Sequence, residues 1–396
     1  MATETIPLRI TGCDHQVMRR RAFLASSGAL VTTGLAGCSA VDVENGENGS
    51  NGDDGGSDGG DTSGDTEGSV EDDDVLAVGT YSTFVDAPSD SPGVWIKETF
   101  EERHDVELEW HTPDQELNYY AERHNQGLEI EPELFLGVRP QNLVRVEENL
   151  EGDLFAETDE SVLSNAENVG DEYYFDPEGR AVPTFRSHCG IVYDGRNVAE
   201  PETFEDLLGD RYEGQIALSN PQDSTTGLLF LLWTIDRFDE DGYLDYWSAL
   251  IDNDVRVLNS WSDVYTQFEE AEVPVVVSYT NDRVYASRFG NDLEKHRVST
   301  LNDQGYANMA GMARFADGSD DDLAHEFMDF ILEPETQAEI ANRNVTGPVN
   351  EETELPEAYA EYAIEPEETV FFGYDELKGN LTDWLDEWER EVVGSN

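Results

Sequence analysis

The sequence contains few basic residues. Lys and Arg together number 23, against 88 acidic residues, and the only lysines are Lys97, Lys295 and Lys378. The resulting formal net charge of −65 excludes a nucleic-acid binder, because such proteins carry basic surfaces. Scarce lysine and excess acid are typical of adaptation to molar salt, where the Debye length falls to about 3 Å. We therefore predict an origin in a halophilic archaeon, and in such a protein a surface carboxylate alone says little about function.

The acidic composition does not indicate a disordered chain. Disordered acidic proteins lack aromatic residues, whereas this sequence has 7 Trp, 16 Tyr and 17 Phe. Its 396 residues are enough for two domains of roughly 150 residues each. The composition thus predicts a folded body.

Cysteine is also scarce. The three cysteines, Cys13, Cys38 and Cys189, do not form the pattern of a disulfide framework. Cys189 lies in the apolar segment Arg186–Tyr193, which predicts a buried strand. We expect it to be a small core residue rather than a reactive thiol.

The apolar stretch near the N-terminus is too short to span a membrane. Arg20–Leu24, in the basic cluster before it, resembles the twin-arginine export signal, which carries folded cargo. Leu35–Cys38, at its end, resembles a lipobox. In this order the two motifs predict a signal segment over residues 1–37 and lipidation of Cys38.

Residues 38–74 follow this signal, and we predict that they form a flexible acidic tether. From residue 42 onward they are mostly Asp, Glu, Gly, Ser, Asn and Thr, and they include no aromatic residue that could join a core. A tether of this length has a reach of about 30 Å. We also expect translation to begin at Met18, because twin-arginine signals place their arginines close to the start.

Predicted strands and helices alternate along the body. This alternation favours an α/β fold with mostly parallel sheets. The predicted strands are Leu76–Tyr81, Val106–Trp110, Leu134–Val138, Gly190–Tyr193, Ile216–Leu218 and Val273–Tyr279. One helix is predicted to start at Ser91–Pro92, with Ser91 as its cap and Pro92 at the first position. Other helices are predicted over Gly227–Phe238, from the capping box Ser260–Asp263, over Leu323–Leu332 before Pro334, and over Leu381–Val392.

The sequence offers no pattern for catalysis. It has no nucleophile elbow, phosphate-binding loop, dinucleotide fingerprint or zinc-protease helix. His104, His111 and His124 are spaced in a way that matches no zinc site. We predict no catalytic residue, no metal and no cofactor.

Two features favour ligand binding instead. Asp223–Gly227 opens an apolar helix whose first N–H groups, with Ser and Thr hydroxyls, suit an anion, although an ordinary helix cap has the same pattern. Tyr81, Trp261, Tyr279 and Tyr285 lie at strand ends or helix starts, where open α/β sheets bind ligands. Each of these rings taken alone is more often a core residue than a ligand contact.

Read together, these segments resemble the thiamine-binding solute receptors of bacterial ABC importers. The resemblance runs from about Val78 to Val392. Its most specific segments are Thr80–Phe84, Asp223–Gly227 with Leu231–Trp233, Trp261–Tyr265, Val277–Thr280 with Tyr285, and Trp384–Trp388.

The resemblance implies a two-lobed periplasmic-binding-protein fold of type II, with a hinge between the lobes. The first lobe is expected over residues 75–186 and 312–345, and the second over 187–311 and 346–396. The chain is then expected to cross between the lobes at Arg186–Ser187 and at Met312–Ala313.

The resemblance also implies the ligand site. Tyr81, Trp261, Tyr279 and Tyr285 match positions that hold the thiamine rings, and Asp114 matches an acidic position near the aminopyrimidine. Ser224 and Thr225 match the place of the phosphate or hydroxyethyl end. The sequence departs from the family where two aromatic walls are replaced, at Pro88 and at Val345.

The implied protein is a monomeric receptor for thiamine or a thiamine phosphate that serves an ABC permease. It would sit on the extracellular face of the membrane, lipid-anchored after twin-arginine export. A receptor for ferric iron or a polyamine on the same fold stays open. Iron receptors use adjacent tyrosines of the second lobe, whereas Tyr119–Tyr120 and Tyr173–Tyr174 fall in the first. A secreted enzyme or a passive surface protein is the alternative from another class.

Overall fold

The computed structural model describes residues 75–87, 90–318 and 321–394. All of them belong to one structural unit of the chain. The predicted signal segment, the start at Met18, the lipobox with Cys38, the tether and the position of Pro88 lie outside the described residues.

The strands are β1 Val75–Thr80, β2 Glu107–His111, β3 Leu134–Val138, β4 Ala181–Tyr193, β5 Ile216–Ser219, β6 Arg256–Leu258, β7 Val275–Tyr279, β8 Arg297–Ser299, β9 Gln304–Arg314, β10 Gly347–Pro348 and β11 Glu368–Val370. The α-helices are α1 Ser82–Val85, α2 Gly93–Arg103, α3 Leu117–Asn125, α4 Pro140–Asn149, α5 Thr225–Asp252, α6 Trp261–Glu269, α7 Asp282–Arg288, α8 Asp321–Leu332, α9 Pro334–Asn344, α10 Glu357–Tyr362, α11 Tyr374–Leu377 and α12 Leu381–Trp388. Short 3₁₀ helices cover Glu160–Val162, Ala166–Asn168, Asp171–Tyr173, Glu205–Leu208, Asp210–Tyr212 and Leu301–Asp303, and a π-helical turn covers Glu389–Val393.

The strands of the described residues form one sheet, whose central path runs β2–β1–β3–β9–β4–β7–β5–β6. β1 pairs in parallel with β2 and β3, and we call these three strands the first wing. β5 pairs in parallel with β6 and β7, which form the second wing. β9 and β4 join the wings and are antiparallel to each other and to β3 and β7. The predicted parallel α/β character is confirmed in the wings, while the centre of the sheet is antiparallel.

The two central strands are long enough to belong to both wings. β9 pairs with β3 at its C-terminal end, and β4 pairs with β7 at its own C-terminal end. Between these ends, Arg186 and Ser187 of β4 face Met309 and Asn308 of β9. Met312 pairs with β3 of the first wing. The lobe limits themselves stay a prediction.

Buried apolar side chains cover both faces of each wing. In the first wing all five residues of β3 are buried, as expected for a strand with helices on both sides. In the second wing Trp247 of α5 meets Trp388 of α12 edge to face at 5.2 Å between ring centroids. Cys189 is fully buried, and burial raises the pKa of its thiol. Its predicted place in the core is confirmed.

Helix ends follow the sequence signals with one exception. Ser260 accepts a hydrogen bond from the backbone N–H of Asp263, which confirms the predicted cap of α6. The prediction that Ser91 caps α2 was wrong: Pro92 holds the cap position, and the Ser91 hydroxyl donates to the carbonyl of Val85 instead. Among the helices of the described residues, none combines the length and the apolar character needed to cross a membrane.

Candidate ligand-binding cleft

The predicted aromatic residues lie where parallel strands end. Tyr81 directly follows β1, and Tyr279 is the last residue of β7. Trp261 begins α6 just after β6, and Tyr285 lies in α7 just after β7. The carboxyl ends of parallel strands are the side on which open α/β sheets bind ligands. We call this edge the candidate cleft.

Trp261 presents its ring at the surface of the second wing. It is 36% exposed, whereas Val264 and Phe268 of the same helix are buried. Its indole N–H donates to the Ser278 hydroxyl at 2.9 Å, and its ring stacks on Tyr265 with 4.9 Å between centroids. The Tyr279 ring is 6.4 Å away. The Trp261 ring is therefore oriented by its neighbours at the surface, while Val264 and Phe268 of the same helix pack into the core.

Tyr265 is held from behind by a buried network. Its hydroxyl donates to one carboxylate oxygen of Asp282 at 2.5 Å, and the other oxygen lies 2.8 Å from Nδ1 of His296. Burial, together with the Asp282 carboxylate, raises the pKa of the Tyr265 hydroxyl, so that it stays a donor. The Tyr285 ring meets Tyr265 edge to face at 6.4 Å. Tyr265 thus contacts two of the predicted rings, Trp261 and Tyr285, although it was not itself among the predicted site residues.

Tyr81 lies at the matching edge of the first wing. Its hydroxyl accepts a hydrogen bond from the Asn344 amide at 3.0 Å, and the Arg139 guanidinium lies 5.7 Å from its ring centroid. Burial raises the pKa of Tyr81 to about 12, and the charge of Arg139 opposes this shift. Burial also raises the pKa of Tyr279 to about 12, and Arg139 opposes that shift too. One cation thus acts on a predicted site residue from each wing.

A second acidic residue, besides the predicted Asp114, acts on these rings. Asp114 is exposed in the turn before α3. Glu116, two residues later, has a charge that contributes to the raised pKa of both Tyr81 and Tyr279. Its backbone is in a conformation with φ 49°, which non-glycine residues adopt only rarely. Such a turn has no signature in the sequence, so Glu116 could not have been selected, and the role of Asp114 stays a prediction.

The predicted anion position lies at the start of α5. Ser224 occupies the cap position, but its hydroxyl makes no capping hydrogen bond and lies 3.1 Å from the Thr226 hydroxyl. The Thr226 hydroxyl in turn lies 2.8 Å from that of Ser219. Thr225, the first helical residue, is half-buried. The Ser224 side chain therefore does not occupy the first N–H groups of the helix, and the role of Ser224 and Thr225 stays a prediction.

Gly227 allows α5 to start this close to the sheet. A Cβ atom at this position would come within 2.2 Å of the Ser219 carbonyl oxygen. Only glycine can occupy this contact, so the residue sets how near the helix start lies to the end of β5.

In one of the two tyrosine pairs considered for iron, Tyr119–Tyr120, the second ring is a core residue. Tyr120 is 1% exposed and packs against Phe135 and Phe315 in the core. Tyr119 and Tyr120 lie on α3. Within the described ranges no group of three or more His, Cys, Asp or Glu side chains has the arrangement of a metal site.

Two parallel wings that share long central strands, with aromatic residues of both wings at the strand ends, define a two-lobed solute-binding protein. The family model described as bacterial extracellular solute-binding protein matches residues 146–379, more than half of the chain. The chain belongs to this family, which places it among the substrate-binding proteins of ABC transporters.

A curated relative, the thiamine-binding periplasmic protein of Escherichia coli K12, is 26% identical over 319 residues. The match covers 80% of this chain and 93% of the relative.

Solved structures share the fold. A periplasmic thiamin binding protein has a TM-score of 0.69 at 24% identity and covers 80% of this chain and 96% of its own. A ferric binding protein from Campylobacter jejuni reaches 0.66 at 15% identity, with 80% and 99% covered. A spermidine/putrescine substrate-binding protein from Streptococcus pneumoniae reaches 0.62 at 19%, with 81% and 99% covered. The predicted type II periplasmic-binding-protein fold with two lobes is thereby confirmed.

Proposed function

We propose that the chain binds thiamine or a thiamine phosphate between its two lobes and delivers it to the permease of an ABC importer. The observation that carries the proposal is the position of four aromatic residues at the ends of the parallel strands. Trp261, Tyr279 and Tyr285 come from the second wing, and Tyr81 comes from the first. The names of the curated relatives support the same ligand.

The physical chemistry of the site suits a flat cation. The thiazolium ring of thiamine is positively charged, and a cation over an aromatic face gains about 0.5–2 kcal/mol. Trp261 offers an exposed indole that is already held by Ser278 and Tyr265. The negative charge of Glu116 acts on Tyr81 and Tyr279, and the resemblance adds Asp114 as an acidic residue of the site.

The lobes would close on this ligand around the central strands, as domain hinges do. The predicted lobe limits, with a crossing at Arg186–Ser187, are part of the proposal. Binding and release require no bond to be made or broken, and we propose that the protein is not an enzyme and acts as a monomer.

A thermal-shift series in multimolar KCl tests the ligand. A ligand that binds only the native state raises the free energy of unfolding by about 2.7 kcal/mol at 100 times its Kd. We expect thiamine and thiamine monophosphate to raise the melting temperature, and ferric citrate and spermidine to leave it unchanged. A shift with spermidine or ferric citrate alone would replace thiamine as the ligand.

Twin-arginine export and lipidation at Cys38 are the proposed route to the extracellular face of the membrane. Replacement of Cys38 by Ser removes the thiol that carries the lipid, so the variant should appear in the medium or accumulate as precursor. Immunoblots of membrane and medium fractions distinguish these results. A variant of mature size that stays in the membrane fraction would contradict the anchor.

A further inference from the structure

Arg139 is an unusual arginine for so acidic a chain. The sequence has 88 carboxylate residues for 23 basic ones, and arginines such as Arg180 and Arg196 pair with carboxylates at 2.9 and 2.7 Å. Arg139 is half-buried and follows β3 at the start of α4. In the described part of the chain no carboxylate forms an ion pair with it; its hydrogen bonds go to neutral groups.

These neutral partners fix the guanidinium in place. Nε donates to the side-chain oxygen of Asn308 at 3.2 Å, and Nη1 donates to the carbonyl of Gly137 at 3.4 Å. Asn308 is 6% exposed and donates in turn to the Ser187 hydroxyl on the facing central strand. Arg139 is thus anchored where the wings join, and its charge remains uncompensated by these contacts.

The fixed guanidinium lies at the candidate cleft. It stands 5.7 Å from the ring centroid of Tyr81. It also opposes the rise in pKa that burial causes at Tyr279, which belongs to the other wing. A cation at this place suits an anionic group of a ligand whose cationic ring lies against the aromatic residues.

We propose that Arg139 binds an anionic group of the ligand and makes the protein selective for a phosphate monoester of thiamine over thiamine itself. The inference rests on the proposed function. A guanidinium forms strong, charge-assisted hydrogen bonds with phosphate oxygens. Molar salt screens such a half-buried contact less than a contact at the surface.

The start of α5 is the other place where a phosphate could be held. Ser224 and Thr225 match that role by resemblance. Arg139 is assigned to it because no carboxylate of the described residues forms an ion pair with this guanidinium. The two assignments differ in which substitution removes the preference for the ester.

Calorimetry with thiamine and thiamine monophosphate in multimolar KCl tests the assignment. The wild-type protein should bind the ester about tenfold or more tightly than thiamine, which is the gain of one charge-assisted hydrogen bond. Arg139→Gln should bring the ratio of the two affinities close to one, and Arg139→Lys should give an intermediate ratio. Arg123→Gln is the matched control: this guanidinium also lies over a tyrosine ring, 5.5 Å from that of Tyr119, but on α3. It should leave the ratio unchanged.

Several results overturn the assignment. Equal affinity of the wild type for both compounds would do so, as would an unchanged ratio in Arg139→Gln, or a ratio that falls in Ser224→Ala only. In each of these cases thiamine still binds, so the proposed function survives. Failure of the wild type to bind either compound contradicts the proposed function and this inference together.

The wild type alone provides a second readout that needs no substitution. A phosphate monoester takes up its second proton at a pKa of about 6. The preference for the ester should therefore shrink as the pH falls from 7.5 to 5.5, because the phosphate loses charge. Thiamine titrated under the same conditions corrects for every other pH effect. A ratio that does not change with pH would contradict an ionic contact.

Discussion

At the scale of single residues, the candidate cleft combines positions that the sequence indicates with positions that it hides. Trp261 follows a capping residue and starts a helix, and this local pattern together with the family resemblance selected it. Arg139 and Glu116 were not selected. Arg139 comes near Tyr81 only when β1 and β3 pair side by side in the first wing, and Glu116 has a rare backbone conformation. Sequence patterns and resemblance therefore identified the aromatic residues of the cleft. The charged residues beside them, Arg139 and Glu116, depend on tertiary structure and could not be identified in this way.

Trp261→Ala should weaken thiamine binding by about 1–3 kcal/mol, which is about 5- to 150-fold in affinity. The variant loses a flat face and any cation–π attraction. Trp261→Phe should lose less, because it keeps an aromatic face. Since Trp261 is 36% exposed, its loss should lower the melting temperature less than the loss of a core residue of α6, such as Phe268. Melting and titration on the same sample test both points. Wild-type affinity with a large loss of stability would remove Trp261 from the site.

Tyr265→Phe should lower the free energy of unfolding by about 1–3 kcal/mol. It removes the hydroxyl that donates to Asp282, whose side chain is buried and needs its hydrogen bonds. Chemical denaturation in constant multimolar KCl measures this loss. Tyr119→Phe is the control, because its hydroxyl accepts a hydrogen bond from Arg123 at the surface. Equal stability of the two variants would show that the Asp282 network does not contribute.

At the scale of elements, the sequence predicted the wings better than the centre of the sheet. β4 was predicted only over its second half, and Pro183 explains why: proline is rare inside central strands. In the structure Pro183 lies next to a shift in register between β4 and β9. β9 was not predicted at all, because its Gly and Ala residues have low strand propensity. A side chain at Gly311 would come within 2.7 Å of the Val182 carbonyl, so these small residues serve the close pairing of β9 with β4.

Helix α5 was likewise predicted in one part and missed in another. The predicted helix over Gly227–Phe238 is confirmed, and it ends where the prediction placed it: Asp239 has non-helical backbone angles, φ 59° and ψ 172°. The continuation to Asp252 was missed. Its buried residues Tyr243, Tyr246 and Trp247 are aromatic rather than aliphatic and lie in a strongly acidic stretch. Packing, rather than a local apolar pattern, therefore stabilises this part of the helix.

Asp90 should contribute to closure of the lobes. Its carboxylate lies 3.7 Å from Arg288 of α7 and 3.4 Å from Arg343 of α9, helices that the predicted limits assign to different lobes. Asp90→Asn leaves two like charges facing each other, and thiamine affinity should fall about 2- to 10-fold. Calorimetry measures the change.

The control for Asp90→Asn is Glu335→Gln. This residue pairs with Arg103, and both lie in the predicted first lobe. The control should bind like the wild type. An equal effect of the two substitutions would mean that Asp90 acts through general charge and not through closure.

At the scale of the whole molecule, the excess of acid is the dominant property. A net charge of −65 destabilises a compact state unless salt screens the repulsion. Dialysis from multimolar KCl to millimolar salt should therefore unfold the protein, and far-ultraviolet circular dichroism should show the loss of helix. Sucrose at equal osmotic strength should not replace the salt. A spectrum that stays unchanged in millimolar salt would contradict adaptation to molar salt.

The central claim is that one thiamine-type ligand binds per chain, between two lobes whose aromatic residues meet at the strand ends. Calorimetric titration of the wild-type protein with thiamine in multimolar KCl tests this claim most directly. We predict a saturable heat with one site per chain, which thiamine monophosphate abolishes by competition and spermidine does not. The absence of saturable heat with either thiamine compound, at a salt concentration where the fold is intact, would contradict the account.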